Sequence, residues 1–137
     1  SPEMIDIHPE SQNETLVIQA TGILSAADYE TRFQPIVEEL ISKYGKINLV
    51  IYLDDLFEGW ALGAMWDDAK FGMKHRHDFK RVAVVGAQAW FKWAYEVGAK
   101  FLDGKFHTFD LDDLVGAVAW ANAPLPVSEE ETAAVEA

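Results

Sequence analysis

Two pairs of residues have the type and spacing to do chemistry. Asp54 and Asp55 adjoin at the end of an apolar run, where carboxylates can act as general acid or base or hold Mg²⁺. His75 and His77 form an H-x-H pair, which binds metal when both imidazoles share a face. Neither pair has the companions that such chemistry needs. Adjacent residues on a strand point to opposite faces, so Asp54 and Asp55 do not converge on one site. No third ligand stands at metal spacing from the histidines, and His8 and His107 lie elsewhere in the chain. There is no G-x-S-x-G elbow, no glycine-rich phosphate fingerprint and no cysteine nucleophile. The expectation is a protein that is not an enzyme and uses neither metal nor cofactor. Hydrolysis at Asp54 is the residual catalytic alternative.

A different feature calls for a function. Two central segments, 60–75 and 88–102, are expected to be helices and carry an excess of apolar side chains. In the first, Leu62, Met65, Trp66, Ala69 and Met73 form one helical stripe, and Trp60, Ala64 and Phe71 lie off it. In the second, Trp90, Ala94, Val97 and Phe101 form one stripe, and Phe91, Tyr95 and Leu102 form another. A surface helix needs one apolar stripe about 100° wide. Wider coverage calls for more protein, a lipid surface or an apolar ligand. Core packing accounts for part of this excess. The remainder nominates Trp60, Leu62, Met65, Trp66, Phe71, Trp90, Phe91 and Tyr95 as a ligand-binding set. Lys70, Lys74 and Arg76 belong to a basic stretch that also holds His75, His77, Lys80 and Arg81. They are the candidates for contact with an anion or a head group; a solvated helix end is the alternative.

The elements that must position these residues follow from periodicity. Met4–His8 and Thr15–Thr21 alternate as strands of an antiparallel hairpin, and Gly22 is expected to break the second. Ser25 and Asp28 have capping-box spacing. From there Tyr29, Phe33, Ile36, Val37, Leu40, Ile41 and Tyr44 hold helical spacing to Gly45, with Pro35 expected to kink or interrupt the helix. Ile47–Leu53 and Arg81–Val85 read as strands buried on both faces. Lys105–Phe109 reads as a fifth strand, and Asp110 is expected to cap a last helix. Strands alternating with helices imply a largely parallel sheet, with ligands beyond its carboxyl edge.

The charge balance is acidic, with a formal net charge of −12. That disfavours general nucleic-acid binding. The chain is long enough to fold around its own core without disulfides. No apolar run reaches bilayer-spanning length and no signal peptide is visible, so the expected location is cytoplasmic. Residues 1–123 are read as one domain, and 124–137 as an acidic, flexible tail.

The order of elements, with the run Leu53 to Gly59-Trp60, Trp66, His75, Phe79, Arg81-Val82-Ala83-Val84-Val85-Gly86, Trp90 and Ala119-Trp120, resembles the SpoIIAA-like proteins. These are relatives of the STAS domain (sulfate transporter and anti-sigma factor antagonist). The resemblance spans Met4 to Ala123. It implies an α/β fold: a mixed sheet of about five strands with an N-terminal hairpin, repeated strand–helix units and about four helices, mainly on one face. It also implies kinship with the CRAL-TRIO fold and binding of lipid-like ligands or membrane association. Two partner classes remain open. One is an apolar or lipid-like small molecule, with peripheral contact at the inner membrane. The other is protein, as a homodimer or a regulatory complex. Anti-sigma factor antagonists carry a phosphorylated serine where the third strand ends. Here that junction reads Leu53-Asp54-Asp55-Leu56-Phe57-Glu58-Gly59, with no serine or threonine.

Overall fold

The computed structural model describes residues 4–61, 70–86 and 105–124. Five strands form one mixed sheet in the order β1-β2-β3-β4-β5. They are β1 (Ile5–Ile7), β2 (Thr15–Leu24), β3 (Ile47–Trp60), β4 (Phe79–Val85) and β5 (Lys105–Phe109). The first pair is antiparallel, with Ile5 opposite Ala20 and Ile7 opposite Ile18. Every later pair is parallel.

Both faces of the sheet are covered, as the unbroken apolar runs in β3 and β4 require. On one face Leu16, Ile18, Leu49, Leu53, Val82 and Val84 meet Tyr29, Phe33, Val37 and Phe71. On the other, Val17, Val50, Ala83 and Val85 meet Ala117 and Ala121. Each fully buried Val, Leu or Ile is worth about 1.5–3 kcal/mol against leaving it in water. The first face is covered by α1 (Ala26–Asp28), a π-helical stretch (Tyr29–Phe33) and α2 (Gln34–Tyr44), together with residues 70–74, which are helical. The second is covered by the C-terminal helix α3 (Leu114–Asn122).

Several boundaries differ from those expected. β2 does not stop at Gly22. It passes through a bulge there, with Gly22 at φ +62°, where a side chain would run into the Met4 sulfur. β3 runs seven residues past Leu53 to Trp60, paired with the end of β2. The register passes from Ala20 opposite Leu53 to Gly22 opposite Phe57, so extra residues of β3 bulge between these points. Asp54 and Asp55 therefore sit on an irregular part of a strand rather than beyond its end. Trp60 closes a strand instead of opening a helix. The cap of the last helix is Asp113, whose carboxylate accepts from the Gly116 amide at 3.1 Å; Asp110 lies in the preceding turn. The expected helix at 88–102 lies outside the described residues.

A polar row crosses the amino ends of the inner strands. Thr15 pairs in register with Asn48, and Asn48 with Arg81. All three are buried. The Asn48 amide donates to the Thr15 hydroxyl at 3.0 Å, and that hydroxyl donates to Asn122 at the end of α3. Arg81 donates to the carbonyls of Trp120 and Pro124, each at 3.2 Å. These bonds offset part of the cost of burying polar groups, with Arg81 Nε left buried and without a hydrogen-bond partner, and they anchor α3 to the sheet.

Candidate functional site

The helix after β2 is built to turn one polar stripe outward. Its start is fixed by a capping box. The Ser25 hydroxyl accepts from the Asp28 amide at 3.1 Å, and the Asp28 carboxylate accepts from the Ser25 amide at 3.0 Å. Pro35 has no amide hydrogen, and its ring would crowd the carbonyl four residues back. The chain relieves this with the π-helical turn just upstream, where the Gln34 amide donates to the Tyr29 carbonyl five residues back. Helical geometry continues, so Pro35 marks a change of winding within it. Tyr29 and Phe33 point into the core, while Glu30, Gln34 and Glu38 follow one another outside at four-residue spacing.

The 70–74 stretch packs alongside. Phe71 is 5% exposed, and its ring meets Tyr29 and Phe33 edge-on at centroid distances of 6.2 and 5.8 Å. The His75 ring also packs on the Phe71 ring, at a centroid distance of 4.6 Å. Between the two helical segments is a hollow of about 300 Å³, lined by Glu30, Gln34, Glu38, Lys70, Phe71 and Lys74. Its rim is crossed by an ion pair, Lys74 Nζ to Glu38 Oε1 at 3.2 Å. The same carboxylate oxygen lies 3.3 Å from His75 Nε2, and His75 Nδ1 lies 2.9 Å from Asp78. Hydrogen bonds from Lys74 and then His75 hold the Glu38 carboxyl below its ordinary pKa of 4.5. Glu38 is thus a carboxylate at neutral pH, shared by two residues of the neighbouring segment.

The expected site residues separate here. Lys70 and Lys74 do line one hollow, and Phe71 forms part of its floor. Phe71 is nevertheless a core residue. At the end of 60–75 the off-stripe residue Phe71 is inside, and Met73, on the stripe with Leu62, Met65, Trp66 and Ala69, is 47% exposed. Trp60 belongs to β3, so helical phase cannot be counted from residue 60. Arg76 is exposed and turns back to donate to the Met73 carbonyl at 2.9 Å, away from the hollow. Arg81 leaves the basic stretch altogether, buried under α3, and Lys80 pairs with Glu14 at 3.0 Å. Leu62, Met65, Trp66, Trp90, Phe91 and Tyr95 lie outside the described residues, as does the side chain of Trp60. Glu30, Gln34 and Glu38 were not among the expected residues. Their four-residue spacing opposite the apolar stripe is the signal that could have found them.

In the two pairs considered for catalysis, Asp54 and His75 are each held by neighbouring polar groups. Asp54 accepts from the Gln19 side-chain amide and from the Leu56 backbone amide, both at 3.0 Å, and Asp55 is exposed. Both ring nitrogens of His75 face carboxylates. Among the described residues, no group of three or more His, Cys, Asp or Glu is placed to hold a metal ion. None of the described helices is long and apolar enough to cross a membrane.

Comparison with known proteins agrees with this architecture. No curated protein matches the chain. The crystal structure of an uncharacterized protein of the DUF3478 family from Shewanella loihica PV-4, described as having a SpoIIAA-like fold, superimposes with a TM-score of 0.67 at 34% identity. The match covers 88% of this chain and 96% of that one. The SpoIIAA-like family model matches residues 15–122, from the first residue of β2 to the last of α3. On the shared sheet, the matched span and the level of identity, the chain belongs to the SpoIIAA-like family.

Proposed function

We propose that this protein is a non-enzymatic binding module for an amphipathic, lipid-like small molecule. The observation that carries this reading is the hollow between α2 and the 70–74 stretch, where Lys70 and Lys74 border a floor that includes Phe71. It has the size and polarity for a head group rather than for an acyl chain. The apolar part of the ligand is assigned to the aromatic-rich sequence on either side, Trp60, Leu62, Met65 and Trp66 first, then Trp90, Phe91 and Tyr95. A soluble carrier and a peripheral membrane protein would use such a site in the same way.

The test is a panel of fatty acids and phospholipid vesicles, read by tryptophan emission and melting temperature. Binding blue-shifts the emission, and Lys70→Glu with Lys74→Glu weakens it. If no lipid changes either signal, the reading fails.

A second reading, a regulatory protein-interaction domain, has its own support. Leu56 and Ile23 are 68% and 55% exposed on the extended ends of β3 and β2. Apolar side chains at one end of a sheet suit a protein interface. Light scattering of the parent and of Leu56→Asp tests it. A parent dimer that the variant turns into a monomer favours this reading, and a parent monomer removes the homodimer from it.

A further inference from the structure

One short motif occurs twice at the carboxyl edge of the sheet. Leu53-Asp54-Asp55-Leu56 lies in β3, and Leu111-Asp112-Asp113-Leu114 leads into α3. The fold brings the two together across Gly86, where a Cβ would meet both the Leu53 carbonyl oxygen and Leu111. Leu53 belongs to one core and Leu114 packs against the other. Leu56 and Leu111 are left outside, 68% and 40% exposed. Leu56 precedes Phe57, and the exposed Ile23 precedes Leu24. Phe57 and Leu24 pack on the first face, so alternation turns Leu56 and Ile23 to the face that α3 covers. α3 ends at Asn122, bonded to Thr15 at the amino edge, and begins at the opposite edge, where Val115 on its first turn is 84% exposed. The ends of β2 and β3 therefore extend past the helix with apolar side chains uncovered.

The charge around these side chains has one sign. Asp54, Asp55, Glu58, Asp110, Asp112 and Asp113 lie in segments 53–60 and 109–116, and neither segment contains Lys or Arg. Asp54 and Asp113 bond to amides rather than to cations. Asp55, Glu58, Asp110 and Asp112 take part in no ion pair among the described residues. A second copy seated here would set carboxylates against carboxylates, and an anionic lipid surface would meet the same repulsion. A segment that presents apolar and basic side chains together matches both features. Building on the protein-interaction reading above, we infer that the patch of Ile23, Leu56, Leu111 and Val115, with its ring of carboxylates, docks a basic amphipathic helix of a partner protein. The partner's apolar stripe covers these side chains as α3 covers the neighbouring sheet, and its Lys or Arg residues face the acids.

The experiment titrates the full chain, by fluorescence anisotropy at moderate salt, with two synthetic helical peptides of identical Leu pattern. One carries Lys on its polar face and the other Glu. The Lys peptide should bind at least about tenfold more tightly than the Glu peptide. A basic peptide also senses the overall charge of −12, so two charge-matched pairs of substitutions separate the edge from the rest of the surface. Asp55→Asn with Asp112→Asn removes two exposed carboxylates at the edge, and Glu10→Gln with Glu39→Gln removes two exposed carboxylates elsewhere. The first pair should weaken binding of the Lys peptide at least about fivefold, and the second less than about twofold. Leu56→Ser with Val115→Ser should weaken it at least about fivefold at unchanged charge, with the melting temperature verifying the fold. Equal losses from the two charge pairs, or no loss from the leucine and valine pair, mean that net charge alone holds the peptide and overturn the inference. Equal binding of both peptides overturns the basic partner and leaves the protein-interaction reading standing. A dimer in light scattering that Leu56→Asp dissociates gives the patch to a second copy, with the same two consequences. No binding of either peptide by a monomeric chain overturns both.

Discussion

The guanidinium carbon of Arg81 lies 5.0 Å from the centre of the Trp120 ring, and the same guanidinium donates to the Trp120 carbonyl. One side chain thus holds both the side chain and the backbone of the last helix. The ring in turn packs on Phe109 and His107 of β5. Arg81→Met keeps much of the apolar stem but removes two charged donors from two carbonyls. Bonds of this type are worth about 1.5–3 kcal/mol each. Urea unfolding should show a loss of about 2–4 kcal/mol, with near-ultraviolet circular dichroism reporting a freed tryptophan.

Phe71 and Met73 make opposite predictions although both belong to the same apolar segment. Phe71→Ala removes a ring packed against Tyr29 and Phe33 and should cost about 3–5 kcal/mol. Met73→Ala touches a half-exposed side chain and should stay within about 0.5 kcal/mol. Equal costs would mean that the 70–74 stretch is turned differently from the arrangement described.

Glu38 gives a pH dependence of known sign. Its pKa is lowered in the folded state, so its contribution is present above the unfolded value near 4.5 and is lost as the pH falls through the lower folded value. The Glu38 side chain is 44% exposed, so solvent screening limits that contribution to about a few tenths of a kcal/mol. Glu38→Gln should therefore lower the melting temperature slightly at neutral pH. The difference from the parent should vanish in acid, and added salt should reduce it.

Gly86 ends β4 at φ +88°, and a Cβ there would collide with the Leu53 carbonyl oxygen and crowd Leu111. The position combines an unfavourable backbone region with a steric block. Gly86→Ala should cost at least about 1–3 kcal/mol by chemical unfolding. A neutral substitution would show that β3 and the turn before α3 are less tightly apposed.

Much of the frame was legible because it rests on local rules. Ser25 and Asp28 announce a cap, Gly45 closes the helix that follows, and Lys105–Phe109 alternates as a strand. The continuous apolar runs of β3 and β4 correctly implied burial on both faces. The end of β3 was not legible. Asp54, Asp55 and Glu58 have low strand propensity, and only pairing with the end of β2 keeps that arm extended. Choosing among Asp110, Asp112 and Asp113 as the cap likewise depends on where α3 meets the sheet.

The sequence by itself determined the order of the strands and the acidic charge balance, which follow from residue identity and spacing along the chain, and it carried the resemblance that pointed to the family. The tertiary structure decided which charges meet. Glu38 and Lys74 are 36 residues apart, and Glu30, Lys70 and Phe71 come together with them only when α2 and the 70–74 stretch pack side by side. Local periodicity says which face of a helix is polar. It cannot say what that face will find opposite, because that depends on how two separate segments are laid across one sheet.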